Sequence, residues 1–276
     1  MQLRTAALCA LLMSSAALAQ KFTGVIEQQV IHMAGETLIQ ISGEISSAPT
    51  PEQEAFGFDP EAILKMWSPA LLTAAKEIDG NYTETINTIY VSPVGVRADL
   101  QTSEDQEKVS YVIRHDKRVA WVIIPHKKKY LELALANVNE AKPLSKVKSN
   151  SEISLKKTGE RATINGLPSE RYFAKDSDGM RELWVASDFG GVRATFDELA
   201  RQIAAGMDHA DHDDDDLWRL MPDGLPIVTK KLSPREGLVL EEIKSIKRQP
   251  VNAELFDIPK GYKKAELSEM KPMKQQ

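Results

Sequence analysis

The chain has 276 residues, 42% hydrophobic and 27% charged, with a formal net charge of −5. That is the composition of a globular protein with a real core, in one large domain or two small ones. The acidic balance argues against a general nucleic-acid binder and against simple electrostatic docking on anionic lipid.

The first element is a leader. Arg4 supplies a positive charge, an apolar run follows from Ala6 to Met13, and Ala17-Leu18-Ala19 closes the stretch with the A-x-A pattern that a signal peptidase cuts. Residues 1–19 are therefore expected to be removed, leaving Gln20 first and placing the protein in the periplasm. The apolar run is too short to span a bilayer, and no other segment approaches that length, so no transmembrane segment is expected. The only cysteine, Cys9, goes with the leader, which excludes a disulfide, a zinc–thiolate cluster and a cysteine nucleophile in the mature chain. Leu8 stands where a lipobox needs a small residue, so lipoprotein processing is not expected.

Most of the remaining chain reads as strands. Phe22 to Ile31 is rich in β-branched residues, and Thr37 to Ser42 alternates. Thr85–Ser92 and Val96–Leu100 follow, separated by Pro93 and Gly95. The clearest hairpin joins Val109–Arg114 to Arg118–Ile124 through a polar turn at His115-Asp116-Lys117. Lys127 to Leu133 continues as a strand whose lysines resemble edge protection. After a polar loop from Asn137 to Ser151, Ile153–Thr158, Ala162–Ile164, Glu170–Ala174 and Arg181–Ala186 are strand-like, with a tight turn at Asn165-Gly166. Leu225–Lys231 and Leu238–Arg248 form a late hairpin around Ser233–Gly237. Residues 263–276 are expected to be a disordered polar tail.

Two segments read as helical. Asp59-Pro60 and Ser68-Pro69 are start signals ahead of apolar residues at helical spacing, giving a helical insertion near 59–79. Thr195-Phe196-Asp197-Glu198 is a capping box, and the helix runs to Met207 with Phe196, Leu199, Ala200, Ile203 and Ala204 on one face. The expected fold is α+β: a single curved antiparallel sheet over residues 20–262, with two or three helices on its concave face. No strand–helix–strand alternation indicates a parallel sheet.

Several segments then carry a resemblance by their order: Phe22–Ile26, Gly95-Val96-Arg97, Tyr111–Arg114, Val119-Ala120-Trp121, Pro125, Lys129-Tyr130, Thr158-Gly159, Ile164-Asn165-Gly166, Leu183–Ala186, and Leu255-Phe256 with Pro259–Tyr262. Together they resemble the bacterial family DUF4412, itself similar to the LolA/LolB lipoprotein-carrier superfamily. The resemblance covers roughly residues 85 to 262 and the first strand. It implies a LolA-like half-barrel in the bacterial envelope, whose apolar hollow holds lipid chains in the carrier superfamily. It carries over no catalytic residue.

The chemistry-bearing stretch is Asp208 to Asp216. His209, Asp211, His212 and Asp213 are the candidate ligands of a divalent transition metal, since imidazole nitrogens and carboxylate oxygens suit such an ion. The plainer reading is a solvated acidic loop. His115 and His126 fall at strand ends or turns, with no Gly-x-Ser-x-Gly elbow nearby, and no dinucleotide or Walker loop occurs. No catalytic residue and no cofactor are expected. Trp121, Trp184, Tyr90, Tyr111 and Tyr172 lie on strands, where core packing is favoured over lining a ligand hollow. The function expected is a non-enzymatic envelope protein that holds a lipid, an acylated molecule or another apolar ligand between sheet and helices. The alternatives are a structural or interaction protein with an envelope partner, and metal binding through 208–216.

Overall fold

A computed structural model describes residues 22–33, 61, 64, 76–77, 82–102, 108–134, 154–176, 179–187, 191–192, 224–233 and 237–266. Twelve strands run through them: β1 (Gly24–Met33), β2 (Tyr82–Ser92), β3 (Gly95–Thr102), β4 (Lys108–Arg114), β5 (Val119–Ile124), β6 (Lys129–Ala134), β7 (Ser154–Ile164), β8 (Leu167–Asp176), β9 (Gly179–Ala186), β10 (Leu225–Ser233), β11 (Gly237–Arg248) and β12 (Lys263–Lys264). They form one open sheet in the order β12-β6-β5-β4-β3-β2-β1-β11-β10-β9-β8-β7. Neighbours are antiparallel, except that β12 runs parallel to β6.

This corrects the α+β expectation. The continuous elements described are the twelve strands and two short 3-10 turns, Pro125–Lys127 and Ala253–Phe256; α-helical conformation occurs among the described residues only at the isolated positions Glu61, Leu64, Lys76 and Val192. Over β2 to β6 the chain's own C-terminal segment packs on the sheet. Phe256, at the end of the second 3-10 turn, is fully buried against Val112, Trp121 and Ile123. Asn252 starts that turn by accepting a hydrogen bond from the Glu254 amide at 3.0 Å. The expected strand at Thr37–Ser42, the helix from Thr195 to Met207 and most of the 59–79 insertion lie outside the described residues.

The hairpins follow their turn chemistry. Asn165 and Gly166 between β7 and β8 have φ of 51° and 81°, the left-handed pair that a type I′ turn requires. Between β4 and β5 the turn closes with Arg118 at φ 52°. The two strand-like pieces read at 153–164 are one strand, β7, whose register shifts between Lys157 and Arg161. Thr158 organises that bulge: its Oγ1 accepts from the Glu160 amide at 3.1 Å and donates to the Arg171 carbonyl at 3.1 Å. Lys263 and Lys264, at the head of the expected tail, pair with Lys129 and Tyr130 on β6.

An open sheet of twelve strands is large enough that curling is a common outcome. Its bend is visible at one hydrogen bond. Asn165 Nδ2 donates to the Ile243 carbonyl on β11 at 2.7 Å. In a flat sheet β8 would stand three spacings from β11, about 14 Å away. The β7–β8 hairpin instead curls back, and Ile164 and Leu167 pack against the cluster that holds Ile243, Leu240 and Leu232.

Candidate functional site

The cross-strand register sorts side chains onto two faces. One row reads Ile26, Ile89, Ala98, Tyr111, Val122, Leu131 from β1 to β6; the row on the other face reads Val25, Tyr90, Arg97, Val112, Trp121, Glu132. On the Ile26 face, a cleft of about 170 Å³ opens between β2, β1, β11 and β10. Its apolar wall is Ile26, Ile89, Leu225, Ile227 and Ile243; Gln28, Thr229 and Glu241 supply polar groups. Two bulges flank it. The β1–β11 register shifts at Glu27/Gln28, and the β10–β9 register shifts at Pro226/Val228. Bulges bend and twist a strand locally, which accounts for a recess in a surface that alternation alone would pave with side chains.

At the margin of the cleft, Asn87 Nδ2 donates to Gln28 Oε1 at 3.1 Å. The Asn87 Oδ1 is buried without a hydrogen-bond partner among the described residues. A buried acceptor left this way is uncommon and costly.

A wider, open trough of about 590 Å³ lies along β7 to β9, lined by Arg161, Thr163, Glu170, Tyr172, Val185 and Ser187 among others. Hydrogen bonds from Lys157 and then Arg161 hold the Glu170 carboxyl at about 2, and the Tyr172 hydroxyl donates to it at 3.1 Å. A carboxylate so strongly held in its ionised form is a poor general base near neutral pH.

The third feature is a buried ionic cluster on β8, β9 and β10. Glu182, 2% exposed, accepts from Arg171 Nε at 3.1 Å, from Trp184 Nε1 at 2.9 Å and from Lys230 Nζ at 3.3 Å. The Arg171 guanidinium lies over the Phe173 and Trp184 rings and reaches outward to Glu160 at 2.7 Å. Burial pushes the Lys230 ammonium below its ordinary value, against the opposing pull of Glu182. The partners are structural in type: each charge is met by an opposite one inside the sheet.

The candidate metal ligands His209, Asp211, His212 and Asp213 lie outside the described residues. Among the described residues no group of three or more His, Cys, Asp or Glu side chains is placed to hold a metal ion. His115 sits half-buried in the β4–β5 turn, where its amide donates to the Val94 carbonyl at 3.0 Å, and His126 is exposed in the first 3-10 turn. Trp121 and Tyr172 are core residues, whereas Tyr111 is 41% exposed. Sequence reasoning missed the cleft and the Arg171–Glu182–Lys230 cluster. The cluster had one signal: each charged residue occupies a position in a strand otherwise rich in apolar side chains.

The model of the family described as Domain of unknown function (DUF4412) matches residues 74–262, more than half of the chain. The chain belongs to the DUF4412 family. No curated protein matches this DUF4412 chain. Among solved structures it is similar to an uncharacterized conserved protein from Thermus thermophilus, with 11% identity over 66% of this chain and 82% of that one and a TM-score of 0.39. It is also similar to PNGF-II, with 12% identity over 88% of this chain but 32% of that one and a TM-score of 0.27. No helix among the described residues is long and apolar enough to cross a membrane.

Proposed function

We propose that this DUF4412 protein is an exported, non-catalytic binding protein of the bacterial envelope that holds an apolar or lipid-like ligand at the cleft between β2, β1, β11 and β10. The cleft itself carries the reading. Five apolar walls surround a small number of polar groups, the usual composition of a small-molecule site. These wall residues are 0–9% exposed, so a ligand gains there chiefly from close contact inside the recess. At about 170 Å³ the recess is smaller than the roughly 300–1,000 Å³ that encloses a whole drug-sized ligand. It therefore takes one apolar segment of its ligand and leaves the remainder along the sheet face. The leader at residues 1–19 supports export.

Native mass spectrometry of protein purified from the periplasm tests this. The wild type carries an adduct of added mass. Thr229→Trp, which fills the cleft from its rim, loses the adduct while keeping its near-ultraviolet circular dichroism. Bare polypeptide mass in both proteins contradicts the reading.

One observation favours a second reading, an interaction protein of the envelope. Tyr111 and Leu133 are 41% and 43% exposed on the same face of β4 and β6. If that face contacts a partner, Tyr111→Ser with Leu133→Ser abolishes its crosslinking in intact cells; an unchanged crosslinking pattern counts against it.

A further inference from the structure

The chain is acidic overall, yet the fold gathers lysines at one corner. The 3-10 turn between β5 and β6 exposes Lys127 and Lys128, and Lys129 opens β6. The C-terminal segment returns to the same place. Its turn at Pro259–Tyr262 carries Lys260, and the Lys263 amide then donates to the Lys128 carbonyl at 3.0 Å. Pairing of β12 sets Lys263 beside Lys129 and Lys264 beside Tyr130. Six lysines from two groups remote in sequence thus share one corner.

Among the described residues, two carboxylates stand close to Lys264. Lys264 is paired with Glu132 at 2.9 Å, and Glu266 stands near it. Lys127, Lys128, Lys260 and Lys263 are exposed and make no ion pair with any described residue. Net charge averages over a whole surface, whereas a partner meets a local field. Screening at physiological salt confines that field to about 8 Å, so acidic residues farther away do not cancel it.

We propose that this corner is a docking surface for a membrane leaflet bearing anionic lipid. Charge complementarity is the ground: about four to eight clustered lysines or arginines are the number that draws a protein onto such a leaflet. The β12–β6 pairing brings the backbones of the two turns together: Lys263 and Lys129 share one face of this edge, and Lys264 lies on the other beside Glu132. The surface lies on strands distant from the cleft and stands whether or not the cleft binds a ligand.

Co-sedimentation of the full-length mature protein with vesicles tests this. One vesicle set is phosphatidylcholine alone; in the other, phosphatidylglycerol replaces part of it. The protein sediments with the second set only, and raising salt releases it. Lys127→Gln combined with Lys260→Gln and Lys263→Gln weakens binding by about tenfold to a hundredfold. The same charge change at the β7 edge, Lys156→Gln with Lys157→Gln and Lys175→Gln, leaves binding within about twofold. Unchanged circular dichroism shows that both variants fold. Equal binding to neutral vesicles, equal loss in both variants, or tighter binding to double-stranded DNA than to the anionic vesicles overturns the proposal.

Discussion

Lys230 Nζ donates to the main-chain carbonyl of Leu64 at 3.0 Å. Leu64 is fully buried in the core cluster with Leu232, Leu238 and Leu240, far along the chain from Lys230. The same ammonium lies 3.3 Å from Glu182 Oε2, so one largely buried lysine ties Leu64, within the 59–79 insertion, to the ionic cluster of the sheet. Such a tie sets position more than stability, because desolvation of the charges offsets most of their attraction.

Unequal costs for the two ends of that tie follow. Glu182→Gln leaves Arg171 and Lys230 buried without their shared carboxylate and costs about 3–5 kcal/mol. Lys230→Met removes a desolvated charge and the hydrogen bond it gives the Leu64 carbonyl, while Glu182 keeps Arg171 and Trp184; it costs about 1–3 kcal/mol. Urea midpoints of the two variants measure the difference. Equal costs would show that Glu182 is not the centre of the cluster.

The C-terminal segment weakens in acid. Asp116 is held at about 2, against its ordinary 3.8, chiefly by hydrogen bonds from Arg114. Asp257 is also lowered, first by its hydrogen bond from Lys117 and further by Arg114, which it meets at 2.6 Å. Both groups bind fewer protons folded than unfolded, so their contribution is fully present above the unfolded value and fades as pH falls from about 4 towards 2. The melting temperature drops across that window in the wild type and drops less in Arg114→Gln. Parallel profiles would place the acid sensitivity elsewhere.

Phe256 is the anchor of the same segment. Truncating it to alanine empties a fully buried site between Val112, Trp121 and Ile123 and costs about 3–5 kcal/mol. Trp121 fluorescence shifts to the red as that side of the sheet is uncovered. A loss under about 1 kcal/mol would mean that the segment rests on its polar contacts, those of Arg97 and Arg114 to the carbonyls of Leu255 and Phe256.

The bend of the sheet can be tested at the β7–β8 tip. Asn165→Gly keeps the left-handed turn but removes the bonds to Ile243 and Glu242. It lowers stability by about 1–2 kcal/mol and speeds amide exchange at Ile164 and Leu167. Exchange unchanged at both residues would show that hydrophobic packing alone holds the curl.

Local pattern carried the strands. The β4–β5 hairpin is legible because Val109, Tyr111 and Ile113 alternate around a polar turn, and Asn165-Gly166 is legible because both residues accept positive φ. β7 reads as two pieces because Thr158-Gly159 looks like a break, when Thr158 bridges it through its hydroxyl. The covering of β2 to β6 was not legible. Val251, Phe256 and Ile258 are sparse apolar residues in a polar stretch, and their burial depends on Trp121 and Val112, which are remote in sequence. The cleft was not legible either: it needs Ile26, Ile89, Ile227 and Ile243 to meet across strands whose order no periodicity encodes.

Isoleucine-methyl NMR with octanol as an apolar probe tests the binding reading most directly. The account predicts that the Ile26, Ile89, Ile227 and Ile243 methyl signals shift together and saturate, while those of Ile113 and Ile123 stay in place and Thr229→Trp abolishes the effect. Shifts that never saturate, or that spread evenly over every isoleucine, would contradict it.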